Sequence, residues 1–333
     1  MTGRQDNPSG EDSLIARYFR PLATDPGAFA LSDDAAILRA DDADIVVTTD
    51  AIVEGVHFLP DDPPDTIARK ALRVNLSDLA AKGAVPSGFV LTLALRQAAA
   101  SWLEPFARAL GEDASAFACP LLGGDTVATP GPLMISITAF GRVPAGRMVR
   151  RSGARPGDLV VVSGTIGDAA LGLDVLKRGA VAAALAGNPA AQAALVARYR
   201  VPQPRNALAA ALRDHADAAM DVSDGLAGDL AKLCAASGVS ARIDLGSLPW
   251  SAEAALLLAC GAVRPELLVS GGDDYEVLCT IPGQQWPAFA AEAGQARVVV
   301  TAIGTVLAGA SAPRFVDAQG HEIALQRLSY SHF

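Results

Sequence analysis

The chain has 333 residues, 51% of them hydrophobic and 19% charged, with 31 glycines and 21 prolines. That length favours two domains, and that composition builds a sizeable core, not a disordered chain. A net charge of −9 leaves no basic surface to release counterions from a nucleic-acid duplex, so a nucleic-acid partner is not expected, and phosphates would be met through metal cations.

The opening residues, MTGRQDNPSGEDSLIARYF, are polar and lack a signal-peptide core; they read as a loose leader before a short helix. Residues 43–50, ADIVVTTD, have the character of a buried strand. Residues 64–84 have helical spacing, with Ile67, Ala71, Val74 and Leu79 on one side and Gly83 as a stop. Residues 87–96 read as a strand, and 101–118 as an amphipathic helix with Ser101 as N-cap. Residues 119–126, CPLLGGDT, read as a strand running into a glycine turn, and 132–143 as another strand. A domain boundary falls near 145–155, where ARPGD introduces a new strand and the next glycine turn opens a helix. Residues 180–215 are Ala-rich and helical, interrupted by RVPQPR. Residues 218–238 read as strand, turn and helix. Residues 265–281 place glycines and acids between two apolar segments, and the tail ends in an aromatic cluster, LQRLSYSHF. Mixed helices and strands in both halves indicate an α/β or α+β chain.

The four cysteines, Cys119, Cys234, Cys260 and Cys279, form no CxxC pair and sit in apolar stretches. They read as buried free thiols in a reducing, cytoplasmic setting and not as a zinc site. No run reaches the roughly 18 apolar residues of a membrane span, so no membrane partner is expected.

Five stretches carry the chemistry: LSDDAA (31–36), TTD (48–50), NLSD (75–78), GGDT (123–126) and DVSDG (221–225). Each sets aspartates beside small residues, most after an apolar strand. Mg²⁺ takes hard oxygen ligands in octahedral geometry, and small neighbours let phosphate oxygens approach backbone N–H groups. One such stretch alone is an ordinary turn or helix cap; five in one chain point to a metal and phosphate site. The P-loop, the GxGxxG turn, the GxSxG elbow, HExxH and the protein-kinase motifs are all missing from the sequence. By itself, His57 between Val56 and Phe58 reads as a core histidine, Tyr330 as an anchor for the terminus, and Asp273 and Asp274 as a solvated turn.

In their order and spacing, SDDAA, TTDAIVEGVHF, KALRVNLSDLAAKGA, LLGGDT, RSGARPGD, DVSDGLAGDL, SGGDDYEVL and SYSHF resemble the thiamine-monophosphate kinase family, in the superfamily of aminoimidazole ribonucleotide synthetase. The resemblance runs from about Leu14 to Phe333. It implies a mixed α/β, two-domain aminoimidazole ribonucleotide synthetase-like fold. Residues 1–147 would form an N-terminal domain that joins sheets with a second copy in a homodimer. Residues 148–333 would form a C-terminal domain whose tail contacts substrate. It further implies ATP-dependent phosphorylation of thiamine phosphate to thiamine diphosphate, in a cleft between domains, with several Mg²⁺ ions. Carried over position by position, the metal ligands are Asp34, Thr48, Thr49, Asp50, Asp78, Asp125, Asp221 and Asp224. The ATP contacts are Gly124, Asp125, Arg151 and Ser223, and the thiamine-phosphate contacts are His57, Asp273 and Tyr330. Three positions depart from the family pattern: Ser32 stands for a usual Gly, Asp273 for a frequent Glu, and Ser329 for a frequent Gly.

The residue types suit that chemistry. Two phosphorylated anions repel at close range, and Mg²⁺ removes that repulsion. Arg151 can grip phosphate oxygens through two N–H groups. The acceptor is already an ionised phosphate, so no general base and no covalent nucleophile are expected, only direct in-line transfer. The Tyr330 ring would stack on the cationic thiazolium. Two other readings remain: another synthetase of the superfamily, of the aminoimidazole ribonucleotide or selenophosphate type, or a non-catalytic nucleotide-binding protein. The reactive N-terminal cysteine of selenophosphate enzymes has no counterpart, since the first cysteine is Cys119. Unused clustered acids would only repel one another, which weighs against a non-catalytic role.

Overall fold

The computed structural model describes residues 42–97 and 99–325, with Phe29, Ser32, Asp33 and the backbone of 36–40. The expected leader and first helix, Asp34, and the tail with Ser329 and Tyr330 lie outside the described residues. The first sheet contains β1 (Ala36–Ala40), β2 (Ala43–Val53), β3 (Val85–Leu95), β4 (Leu121–Ala128) and β5 (Met134–Pro144), in the spatial order β1-β2-β5-β3-β4. Neighbours are antiparallel, except that β3 and β4 run parallel. Helices α1 (Pro64–Ala81) and α2 (Ala100–Ala116) belong to this half.

The second sheet contains β6 (Leu159–Ser163), β7 (Ala218–Asp221), β8 (Ser240–Asp244), β9 (Val277–Ile281), β10 (Val300–Leu307) and β11 (Arg314–Val316), in the order β11-β8-β10-β6-β9-β7. Its helices are α3 (Asp168–Leu176), α4 (Ala180–Ala184), α5 (Pro189–Arg200), α6 (Ala209–His215), α7 (Leu226–Ser237), α8 (Ala252–Ala259), α9 (Pro265–Ser270) and α10 (Trp286–Gln295). Each half has its own core. Phe89, Ile135, Ile137, Leu72 and Leu79 anchor the first, and Val160, Val162, Met220, Leu230 and Ile243 the second. Each such side chain contributes about 1.5–3 kcal/mol by leaving water.

Helix α1 joins the halves. Pro64 at its first position is preset for a helix start, and Asp65 complements the N-terminal dipole. Gly83, at φ +67°, ends it. The spacing predicts one apolar face, but α1 is buried nearly all round, Lys70, Asn75 and Ser77 included. The reason is that the first sheet covers one side while loops and helices of the second half cover the other. Asn206 Nδ2 donates to the Leu76 carbonyl at 3.1 Å, Arg73 Nη1 to the Pro202 carbonyl at 3.0 Å, and Lys82 Nζ to the Ala219 carbonyl at 2.8 Å.

Several local expectations are corrected. NLSD (75–78) lies inside α1, as the spacing over 64–84 predicts, so Asn75 and Asp78 project about one helical turn apart. GGDT is not a turn. β4 runs unbroken through Gly123 and Gly124, because its parallel partner β3 approaches so closely that a Cβ at Gly124 would lie 1.9 Å from the Leu91 carbonyl oxygen. Ser101 does not cap α2, which begins at Ala100 after an extended Ala99 with no side-chain cap. Cys119, Cys234 and Cys279 are buried, but Cys260, past the end of α8, is exposed. Among the described residues no helix is long and apolar enough to cross a membrane.

Candidate active site

Three backbone segments bring the acids together. β2 supplies Thr48, Thr49 and Asp50; α1 supplies Asp78; and the end of β7 with the turn after it supplies Asp221, Ser223 and Asp224. They line one cleft of about 540 Å³, with Arg151, His57 and Asp273. That volume lies within the range of about 300–1,000 Å³ usual for small-ligand sites.

The acids are held by directed bonds. The Thr48 hydroxyl donates to Asp78. The Asp50 N–H donates to Asn75 Oδ1 at 3.0 Å, which ties β2 to α1. Ser77 Oγ donates to Asp221 Oδ2 at 2.7 Å, which ties α1 to β7. Asp229, fully buried one helical turn into α7, accepts from the N–H groups of Ser223 at 3.0 Å and Asp224 at 2.9 Å. Lys232 engages both Asp224 and Asp229. The turn itself needs Gly225, at φ +113°, where a Cβ would meet the Ser270 carbonyl at 2.8 Å.

These carboxylates raise one another. Burial, then the neighbouring Asp224 charge, pushes Asp50 up to about 6. Burial pushes Asp221 up to about 7, with Asp229 and Asp50 adding to the rise and Ser77 and Arg151 opposing it. Asp78 is held well above the usual carboxylate range by burial and by Asp221 and Asp50, against the pull of Thr48 and Lys82. Such a cluster attracts divalent cations. Among the described residues no three Asp, Glu, His or Cys side chains already form a cage for one ion. Hard carboxylate and hydroxyl oxygens facing an open cleft nevertheless match Mg²⁺, which keeps several waters or phosphate oxygens as ligands.

His57 accepts the Val53 N–H at Nδ1, 3.0 Å away, which puts the ring proton on Nε2. Asp273 has φ +72° and Tyr275 φ +51°, a backbone that non-glycine residues seldom adopt. The loop is pinned there by Asp273 N–H to the Ser223 carbonyl and Tyr275 N–H to the Val222 carbonyl, both at 2.8 Å. Between them Asp274 turns inward and accepts from the N–H groups of Gly167 at 2.7 Å and Ala169 at 3.3 Å. Asp274 is therefore a structural acid and not a solvated turn residue.

The structure gathers Thr48, Thr49, Asp50, His57, Asp78, Arg151, Asp221, Ser223, Asp224 and Asp273. The Thr49 hydroxyl donates to the Ile137 carbonyl at 3.1 Å and accepts from Thr138 at 2.9 Å. Gly124 and Asp125 do not line the cleft. Pairing across the sheet puts Gly124 beside Leu91, Ile137 and Asp50 in one row, three strands or about 14 Å from Asp50. Asp34 and Tyr330 lie outside the described residues. Asp33 bonds Lys82 at 2.7 Å and the Arg151 N–H at 3.1 Å. Sequence reasoning missed Asn75, Ser77, Asp229 and Lys70. The first three flank the quoted acids by one to five positions, the only signal that could have found them.

Residues 32–143 match the AIR synthase related protein N-terminal domain, and residues 155–316 its C-terminal domain. The thiamine-monophosphate kinase of Caulobacter vibrioides is 44% identical over 98% of this chain and 91% of its own length. A solved structure, AaThiL complexed with AMPPCP and TMP, is 30% identical and superposes with a TM-score of 0.83 over 100% of both chains. The thiamine-monophosphate kinase from Stenotrophomonas maltophilia, also solved, is 36% identical with a TM-score of 0.76 over 95% of this chain and 98% of that one. By sequence and by fold, the chain belongs to the thiamine-monophosphate kinase family.

Proposed function

We propose that this chain transfers the γ-phosphoryl group of ATP to thiamine phosphate, giving thiamine diphosphate. The observation that carries the reading is the convergence of Asp50, Asp78, Asp221 and Asp224 from three distant segments on one cleft that His57 and Asp273 also line. Thr48, Thr49, Asp50, Asp78, Asp221 and Asp224, with Asp34 and Asp125, would hold Mg²⁺, which when bound neutralises charge on both phosphates. Arg151 and Ser223 contact ATP; Gly124 and Asp125 stand on β4 outside the cleft and join the proposed ATP contacts by family resemblance alone. His57 donates from Nε2 and Asp273 accepts from the aminopyrimidine, with Tyr330 closing over the thiazolium. The acceptor phosphate needs no base, so transfer is direct and in line, with no phosphoenzyme.

The same reading places the protein in the cytoplasm as a homodimer. β4 is an edge strand with every residue exposed, and Leu121 and Leu122 are 52% and 61% exposed. An apolar edge of that kind calls for a partner strand. The division into domains 1–147 and 148–333 falls between β5 and β6. A coupled ADP-release assay tests the function: thiamine phosphate stimulates release, other phosphorylated acceptors do not, and chelation of divalent cations abolishes it. Stimulation by a different acceptor alone would favour a synthetase of the superfamily. Labelled ATP leaves no covalent phosphoprotein.

A further inference from the structure

Helix α1 carries a lysine, Lys70, at a position where only 1% of the residue meets solvent. A buried ammonium is costly unless acceptors surround it. Lys70 Nζ donates to the His57 carbonyl at 2.9 Å and to Asp273 Oδ2 at 3.2 Å, and it stands 3.8 Å from the centroid of the Tyr199 ring. The Tyr199 hydroxyl donates to the same His57 carbonyl at 3.1 Å. These partners come from three separate pieces: the loop after β2, helix α5 and the loop before β9. Both residues that accept from the ammonium, His57 and Asp273, line the cleft; Lys70 itself does not. The ammonium therefore stands behind the cleft wall and ties the loop after β2 to the loop before β9. Asp273 is constrained twice, through its left-handed backbone and N–H bond to Ser223 and through one carboxylate oxygen on Lys70. Asp273 also lines the cleft with its side chain 25% exposed, which leaves the second carboxylate oxygen for a ligand.

We propose that Lys70 is a positioning residue for the thiamine-phosphate side of the cleft: it sets the spacing and orientation of His57 and Asp273 without touching substrate. The proposal rests on the kinase reading above. Met at this position keeps the volume and removes the charge. In K70M the KM for thiamine phosphate rises about tenfold, while the KM for ATP stays within about twofold and kcat at saturation within about threefold. The thermal shift given by thiamine phosphate alone shrinks, and that given by a non-hydrolysable ATP analogue persists. K70R, which restores a cation, recovers part of the KM. The K70M/D273N double variant loses less for thiamine phosphate than the two single losses combined, because part of the ammonium's effect runs through that carboxylate and the rest through the His57 carbonyl. Should K70M fail to fold, Y199F, which removes the second donor to the His57 carbonyl, raises the same KM about two- to threefold. Equal changes in both KM values, or fully additive losses in the double variant, overturn the proposal and leave Lys70 a packing residue. Absence of any thiamine-phosphate-dependent turnover in the unmodified protein would instead remove the kinase reading.

Discussion

Asp221 ends β7, and Glu276 immediately precedes β9, the strand that pairs with it; the Val222 N–H bonds the Glu276 carbonyl at 2.8 Å. Both side chains are buried. Glu276 is matched by Arg198 at 2.8 Å, Arg205 at 2.5 Å and the Ser163 hydroxyl at 2.6 Å. Asp221 receives one hydroxyl from Ser77 and faces Asp229, Asp50 and Asp78, with the Arg151 charge opposing them. An acid surrounded by guanidinium groups holds the fold together. An acid surrounded by other acids is held in readiness for a cation, at a cost in stability that the rest of the fold offsets.

Four experiments act on that contrast. Asp221→Asn removes a carboxylate from the cluster. It should lower kcat/KM for thiamine phosphate by roughly 10³-fold while raising the melting temperature of the metal-free protein by about 2 °C. A fall in melting temperature would place Asp221 with Glu276 among the structural acids. Glu276→Gln does the reverse. It leaves two arginines without their counter-charge, so urea unfolding should show a loss of about 3–5 kcal/mol, with activity per folded molecule retained.

The third experiment uses pH. Asp50 and Asp221 bind protons up to about 6 and about 7 in the folded chain, against about 3.9 when unfolded. Their contribution is fully present below the unfolded value and is lost as pH rises through 6 to 7. Melting temperatures in chelator should therefore fall across that window, and the gain on adding Mg²⁺ should be larger at pH 8 than at pH 5.5. Equal gains at both pH values would break the comparison. The smallest effect is expected from Ser77→Ala, which removes the one hydroxyl on Asp221. It should cost about 1 kcal/mol of stability and raise the half-saturating Mg²⁺ concentration a few-fold without abolishing turnover.

Much of this contrast was open to a reader of the sequence, and part was not. The strand character of ADIVVTTD, the helix at 64–84 and the strand–turn–helix at 218–238 follow from local periodicity, and all three are present. The acids of the cleft were legible because Asp beside small residues is locally distinctive. Glu276 and Asp274 were not separable from Asp273, since all three stand in one short acidic run; only the arginines of α5 and its following loop, and the N–H groups at the start of α3, tell them apart. NLSD lies in the stretch whose spacing already predicts the helix at 64–84. What the spacing does not show is burial of α1 on two sides, a tertiary fact with no local trace. Gly124 looked like a turn because its composition is that of one, and there the deciding contact is a carbonyl on a strand some thirty residues earlier.

The way α1 is enclosed has a practical corollary for anyone wishing to dissect the chain. Lys82 is fully buried and caps the Ala219 carbonyl of the other half, as Lys70 reaches Asp273 and Ser77 reaches Asp221. Severing the polypeptide between β5 and β6 would strand two ammonium groups and a hydroxyl in a newly wetted surface, and would strip Asp221 and Asp273 of their holders. Neither fragment is expected to be obtained as a soluble module by itself, whereas the two co-expressed should reassemble around that single helix.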